Sequence, residues 1–239
     1  MTPECLYLLQ LAATTIQVPS GPLDMSSGCY LVRMSDGTHV LIDSGQPDDF
    51  KLPPGASSTV DARLADLLAR IGVRPSEISV VVCTHFDIDH VGHHQDFEGA
   101  EFVVQRRHYE LALSGSERFA SGRKHWGHPG LKYRMVDGDV DLYPGFTLIE
   151  TSGHTTGHQS VLLRLPQTGL VLLAIDAVML ERLFVPNRPA TPADENADEL
   201  RSSTVKLLDL VNELGVQLVV FGHDGAQWRV LRRAPSFYA

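Results

Sequence analysis

The stretch THFDIDHVGHH, residues 84–94, places four histidines and two aspartates directly after ISVVVC at 78–83. The preceding apolar run, rich in β-branched residues, is typical of a strand buried on both faces. Four residues form the pattern H-x-D-x-D-H: His85, Asp87, Asp89 and His90. A purely structural role would bury several titratable groups without partners, at a high cost in free energy. Imidazole nitrogens and carboxylate oxygens at this density suit a divalent transition metal, so the stretch predicts a metal site.

The remaining histidines near this stretch do not follow the ligand pattern. His93 and His94 are predicted to be helix or surface residues. Residues 114–130, SGSERFASGRKHWGHPG, are polar and glycine-rich and predict a lid-like insertion. Within it, His125 and His128 lack ligand spacing and are predicted to be exposed loop residues.

Length and composition favour a single α/β domain spanning residues 1–239, with 43% hydrophobic residues to supply a core. Lysine and arginine number 20 against 29 aspartates and glutamates, and no basic run is present, so nucleic acid is not expected as a partner. The three cysteines lack CxxC spacing, which favours a reducing cytoplasm. No signal peptide or membrane span is predicted. The sequence does not indicate an oligomeric state.

Hydrophobic patterning predicts alternating strands and helices. Predicted strands cover 4–18, 29–34, 38–42, 78–83, 101–105, 146–150, 160–165, 170–175 and 217–221. One helix is predicted from Thr59 to near Gly72, and a short helix is predicted from His90. Two further helices are predicted at 106–113 and 200–214. Irregular connections are expected at 19–28, 46–58, 114–130 and 186–198, and the first three of these are expected to build the substrate pocket.

Several predicted strands end immediately before a histidine or an aspartate. His154 follows the strand at 146–150, Asp176 follows 170–175 and His223 follows 217–221, as His85 follows 78–83. Asp43 ends another strand, where it is either a turn residue or part of the site. Ligands collect at the carboxyl ends of strands in α/β sheets, so these side chains are predicted to meet.

This arrangement resembles the metallo-β-lactamase superfamily, whose αββα sandwich carries a one- or two-metal site at one edge of its paired sheets. The resemblance extends from about residue 31 to His223. A closer similarity, to the quorum-quenching N-acyl-homoserine lactonases, rests on five segments: LIDSG (41–45), FVVQRRHYELAL (102–113), GHTTGHQS (153–160), VLLAIDA (171–177) and VFGHD (220–224). It implies a hydrolase that opens a small-molecule lactone with a hydroxide held by metal.

The resemblance also assigns roles to individual residues. It implies two divalent ions, with zinc as the preferred metal. The ligands of the first ion would be His85, Asp87 and His154, and those of the second would be Asp89, His90 and His223. Asp176 would bridge both ions, and Asp89 would also pass a proton to the leaving alkoxide. Asp43 and His158 would orient the ligands rather than bind metal.

Two positions depart from the family pattern. Asp87 stands where the lactonases have a histidine, which makes a two-metal site carrying a hydroxide formally neutral instead of positive. That change favours harder ions such as manganese, iron or cobalt, or else a weak first metal and a mononuclear enzyme. Met179 stands where the lactonases have a tyrosine that contacts the substrate carbonyl. Hydrolysis of another ester, a thioester or a phosphoester therefore stays open, as does a non-catalytic, metal-binding role.

Overall fold

A computed structural model describes residues 1–19, 21–52 and 54–239. Ser20 and Pro53, which fall in the predicted loops 19–28 and 46–58, lie outside the described residues. The strands are β1 (Pro3–Val18), β2 (Gly21–Met34), β3 (His39–Ile42), β4 (Ser57–Asp61), β5 (Ile78–Val82), β6 (Glu101–Gln105), β7 (Lys132–Val136), β8 (Val140–Tyr143), β9 (Phe146–Glu150), β10 (Gln159–Leu165), β11 (Gly169–Ile175) and β12 (Leu218–Phe221). The helices are α1 (Leu64–Arg70), α2 (Ile88–Val91), α3 (Arg106–Leu113), α4 (Arg123–Trp126), α5 (Ala197–Leu214) and α6 (Gly225–Val230).

The strands form two mixed sheets. One has the order β4-β1-β2-β3-β5-β6-β7, and the other has the order β12-β11-β10-β9-β8. Strands β3, β5, β6 and β7 pair in parallel, as do β11 and β12, whereas the remaining pairs are antiparallel. Parallel neighbours bring their carboxyl ends to the same edge of a sheet, which is the arrangement needed to gather side chains that follow different strands.

Alternating side chains of the strands fill separate apolar layers. On β1, Leu6 and Leu8 pack between the two sheets, while Leu9 and Leu11 pack on the outer face beneath helix α1. Leu207 of α5 packs on the outer face of the five-stranded sheet. A period of two with both faces covered produces near-continuous apolar strands. The molecule is therefore an αββα sandwich, as the family resemblance implied.

Two predicted boundaries were wrong. Residues 21–28 were predicted to be loop, but they form the first half of β2, which pairs with β1 as far as Gly21. The helix expected from Thr59 begins at Leu64, because Ser57–Asp61 pair with β1 instead. In both cases a long neighbouring strand offers backbone hydrogen bonds, which local periodicity does not register.

The later helix was predicted closely. Asn196 caps α5 by accepting hydrogen bonds from the backbone N–H groups of Asp198 and Glu199. Gly215 ends it in the left-handed conformation, with φ of 62°. Among the described residues, no helix is both long and apolar enough to cross a membrane.

Candidate metal centre

The strand ends of both sheets converge on one cluster of side chains. His85 follows β5 of the seven-stranded sheet, and His154, Asp176 and His223 follow β9, β11 and β12 of the other sheet. Asp176 lies at the centre: its carboxylate oxygens are 3.1 Å from His223 Nε2, 3.4 Å from His154 Nε2 and 4.0 Å from His85 Nε2. The predicted convergence of these four residues is present in the structure.

The turn after β5 adds the other three predicted ligands. Asp87 Oδ2 lies 3.4 Å from His85 Nε2, and Asp89 Oδ2 lies 3.6 Å from His223 Nε2. His90 Nε2 is 3.6 Å from Asp176 Oδ1. Three compact groups result, each with its possible ligand atoms within 4.8 Å of one another, and the group of His85, His90 and Asp176 connects the other two. We call those other two the first ligand group (His85, Asp87, His154) and the second ligand group (Asp89, His90, His223).

The chemistry of these groups fits a divalent metal ion. Within the described part of the chain, His85 Nε2 and His90 Nε2 are buried and have no hydrogen-bond partner. Leaving a buried polar atom unsatisfied costs about 1–3 kcal/mol, so two such nitrogens in one cluster need an explanation. Both lie beside the carboxylate of Asp176, and imidazole nitrogen with carboxylate oxygen is a common ligand set for zinc and related ions.

Carboxylates determine the charge of two histidines in the cluster, His90 and His154. Burial alone would lower the pKa of His90, but Asp89, Asp176 and Asp43 outweigh it and raise that pKa to about 10. Burial likewise opposes charge on His154, yet hydrogen bonds with Asp194 and Asp87 raise its pKa to about 9. These two histidines are therefore protonated at neutral pH, and a metal ion that binds to them must displace their protons.

Asp43 and His158 lie behind the ligand groups. Asp43 accepts hydrogen bonds from the backbone N–H and the hydroxyl of Thr84, and its Oδ2 lies 2.8 Å from His90 Nδ1. This contact turns His90 Nε2 toward the cluster. His158 Nε2 accepts the backbone N–H of Asp176 at 3.2 Å, while its Nδ1 lies 2.9 Å from Thr151 Oγ1. Both ring nitrogens of His158 are thus engaged away from the cluster.

Backbone strain marks the same strand ends. Asp43 and Ile175 are the non-glycine residues with positive φ among those described, at 58° and 53°. Asp43 directly follows β3, and Ile175 directly precedes Asp176. A β-branched residue in this region is costly and persists only where the surroundings enforce it. The strain at Ile175 aims the Asp176 carboxylate into the cluster.

Two residues of the centre were missed by the sequence reasoning. Asp194, in the connection at 186–198, has a buried side chain whose Oδ1 lies 3.0 Å from His154 Nδ1. Arg118, in the predicted lid, donates from Nε to Asp87 Oδ1 at 2.8 Å and from Nη2 to Asp87 Oδ2 at 2.5 Å. Neither has a spacing motif. The unmatched carboxylate of Asp87 was a signal that a cation lies nearby, but it did not identify which one.

The histidines outside the ligand pattern lie outside both ligand groups. The prediction that His125 is exposed was wrong: it is buried, with Nδ1 2.6 Å from Gln95 Oε1. The neighbouring Trp126 stacks on Phe86 with ring centroids 5.1 Å apart, which holds this part of the segment against the core. His94 is also buried and contacts Ser44 Oγ at 2.7 Å. His128 is half-exposed.

A cleft of about 270 Å³ opens onto the cluster. Its polar floor includes Asp87, Asp89, His154, Asp176 and His223. Its apolar wall is formed by half-buried side chains from the β1–β2 hairpin, from residues 46–52 and from the turn after β11: Ile16, Met25, Phe50, Leu52 and Met179. A cleft with one polar end and one apolar wall is suited to a small molecule with a polar head and a hydrocarbon tail.

An αββα sandwich with a His/Asp cluster at its strand ends is the arrangement of a class of metal-dependent hydrolases. Residues 24–223 match the family model described as the metallo-beta-lactamase superfamily, and the chain belongs to that superfamily. It is 31% identical over 231 residues to an N-acyl homoserine lactonase of Bacillus sp, covering 92% of this chain and 89% of the relative. It is 32% identical to the N-acyl homoserine lactonase AttM of Azorhizobium caulinodans, covering all of both chains.

Solved structures agree with these relatives. The chain superposes with a TM-score of 0.86 and 26% identity, covering 100% of both chains, on an N-acyl homoserine lactone hydrolase with the product N-hexanoyl-L-homoserine bound at its catalytic metal centre.

Proposed function

We propose that this protein is a metal-dependent lactonase that opens the ring of N-acyl-homoserine lactones. The observation that carries the proposal is the placement of a His/Asp cluster at the floor of a cleft with an apolar wall. Lactonases similar over nearly the whole chain support it. The proposed unit is a single domain of residues 1–239, acting in the cytoplasm on a small molecule, without a nucleic-acid or membrane partner.

The proposed centre takes two divalent ions, with zinc as the first choice and manganese, iron or cobalt as alternatives because of Asp87. The first ligand group would hold one ion and the second ligand group the other, with Asp176 between them. Their ligand atoms are close enough for this without rearrangement of the backbone. When bound, such ions supply a nucleophile at neutral pH and stabilise negative charge on the carbonyl oxygen.

The protein's own side chains are proposed to orient these ligands and to transfer the proton. Asp43 holds His90, and Asp194 holds His154, so that the Nε2 atoms face the cluster. Asp89 is the more accessible carboxylate, with 27% of its side chain exposed against 5% for Asp176. Because it faces the cleft, Asp89 is the proposed donor of a proton to the leaving alkoxide.

The apolar wall is proposed to bind the acyl chain. Met25, Phe50 and Met179 are half-buried and line the cleft. Each methylene buried there contributes about 0.8 kcal/mol to binding. We therefore expect KM to fall as the acyl chain lengthens, until the chain extends beyond the wall.

The test is a substrate panel with the metal-loaded enzyme. We expect turnover of N-acyl-homoserine lactones, and in Asp176→Ala a loss of at least about a hundredfold in kcat/KM together with a loss of bound metal. Asp209→Ala, an exposed aspartate on α5, is the matched control and should keep wild-type activity. A thioester and a phosphodiester complete the panel. Turnover of either of these without turnover of any lactone would contradict the proposal.

A further inference from the structure

Arg118 is held against the first ligand group by contacts from two separate segments. Its Nη1 donates to the carbonyl oxygen of Ala193 at 2.7 Å. Its Nε and Nη2 donate to the two carboxylate oxygens of Asp87. The next residue, Phe119, is fully buried, and its carbonyl oxygen accepts Trp126 Nε1–H at 3.0 Å. The guanidinium is therefore positioned by the fold and is not a freely moving surface charge.

The same guanidinium contacts a second member of the group. Arg118 Nη2 lies 2.9 Å from His154 Nε2, which is also 3.2 Å from Asp87 Oδ2. His154 Nδ1 is engaged by Asp194, so Nε2 is the nitrogen that faces the cluster. An imidazole nitrogen has a single in-plane direction for a partner. Whichever of its two neighbours His154 Nε2 uses, that direction is taken.

The second ligand group has no comparable neighbour. Within the described residues, the ion pairs of Asp89, His90 and His223 are made with one another, with Asp43 and with Asp176, and none is made with an arginine or a lysine. A metal ion binding there displaces protons from the histidines but meets no arginine or lysine side chain among the described residues. A metal ion binding to the first group meets a fixed cation that donates to Asp87 and lies 2.9 Å from His154 Nε2.

We infer that the Arg118 guanidinium competes with a metal ion for the first ligand group, so that the two positions of the centre bind metal with different affinities. The inference rests on the ligand assignment of the proposed function. An entering ion needs Asp87 Oδ2 and His154 Nε2, and it must displace charge-assisted hydrogen bonds and approach a positive charge. The second position fills first, and the first position fills only as Arg118 is displaced.

The experiment is a metal titration of the chelator-treated, full-length protein. Zn²⁺ is added in competition with a chromophoric chelator, and Co²⁺ is followed by its visible absorption. We expect the wild type to bind one equivalent tightly and a second at least tenfold more weakly. Arg118→Met keeps the side-chain length without the charge and should tighten the second equivalent at least tenfold. Arg123→Met, an exposed arginine of the same segment, should match the wild type.

Two results would overturn the inference: two equivalents of equal affinity in the wild type, or a weaker equivalent that Arg118→Met does not tighten. If circular dichroism shows that Arg118→Met does not fold, Arg118→Lys decides. Lysine lacks the parallel N–H pair of arginine, so the weaker equivalent should tighten at least threefold, and no change would overturn the inference. Lactone turnover measured on the same samples separates the two proposals, because unequal binding without turnover contradicts only the function.

Discussion

At the scale of single residues, Met179 places a thioether in the wall of the cleft. It lies on the apolar wall, three residues after Asp176, and its backbone carbonyl oxygen accepts the N–H of His223 at 2.9 Å. A thioether cannot donate a hydrogen bond, whereas the lactonases that the sequence resembles have a tyrosine hydroxyl at this position. The side chain at position 179 therefore offers no hydrogen-bond donor to the cleft.

Restoring that donor should increase lactonase activity. We expect Met179→Tyr to raise kcat/KM for N-hexanoyl-homoserine lactone about tenfold, the effect of one hydrogen bond that strengthens in the transition state. Met179→Phe is the matched control, since it adds the ring without the hydroxyl. Steady-state kinetics of the three proteins give the answer. An equal gain in both variants would attribute the effect to packing and contradict a role for the hydroxyl.

The residues that sequence reasoning found and missed differ in a physical way. His85, His154, Asp176 and His223 each follow an apolar run, and the geometry of sheets brings such positions together whatever the loops do. Arg118 reaches the centre through the packing of its neighbour Phe119, which no local pattern encodes. A cation required by Asp87 was foreseeable; its position in the chain was not.

At the scale of elements, the β1–β2 hairpin explains why one pocket loop was predicted wrongly. The two strands pair from Pro3–Met34 to Val18–Gly21, with irregularities near Cys5 and Ala12. The first half of β2, residues 21–28, is rich in serine and glycine and lacks the alternation of apolar and polar residues that identifies a strand. Its residues extend because β1 supplies their backbone partners. The cleft wall around Met25 is consequently a strand whose backbone pairs with β1.

Helix α3 carries a histidine that should link stability to pH. His108 donates from Nδ1 to the carbonyl oxygen of Thr156 at 2.8 Å. Its ring centroid lies 4.8 Å from that of Phe86 and 4.8 Å from that of Phe119. Its Nε2 is buried without a hydrogen-bond partner among the described residues. Burial lowers the pKa of His108 to about 4, from 6.5 in an unfolded chain. Between these values only the unfolded state takes up the proton.

The free energy of unfolding should therefore fall as the pH drops from 6.5 toward 4. The contribution of His108 is fully present above pH 6.5 and is lost at about 1.4 kcal/mol per pH unit below it. Denaturant unfolding of chelator-treated protein at several pH values measures this, and His108→Asn should reduce the slope by that amount. Leu111→Ala on the same helix should lower stability without changing the slope. An unchanged slope in His108→Asn would show that this histidine is not the proton acceptor.

At the scale of the whole molecule, the candidate centre joins the two sheets. His85, Asp87, Asp89 and His90 come from the end of β5 in the seven-stranded sheet, and the other ligands follow strands of the five-stranded sheet. The apolar layer between the sheets ends where this cluster begins. A metal ion bound there would hold both sheets together at an edge where their carboxylates and imidazoles converge, so metal binding and folding should be coupled.

Removing metal should lower the thermal stability of the protein. Ligand at a hundredfold excess over its Kd adds about 2.7 kcal/mol to the folded state, and for a chain of this size 1 kcal/mol shifts Tm by about 2–4 °C. We therefore expect a chelator to lower Tm by about 5–10 °C in a thermal melt. The chelator should lower the Tm of Asp176→Ala only slightly, because this variant lacks the central carboxylate and should already have lost its metal. The pKa of His154 is about 9 and that of His90 is about 10, so a metal ion must compete with protons for both side chains. The chelator should therefore lower Tm by more at pH 8.5 than at pH 6.5. A shift that is the same at both pH values would mean that these histidines do not bind the metal.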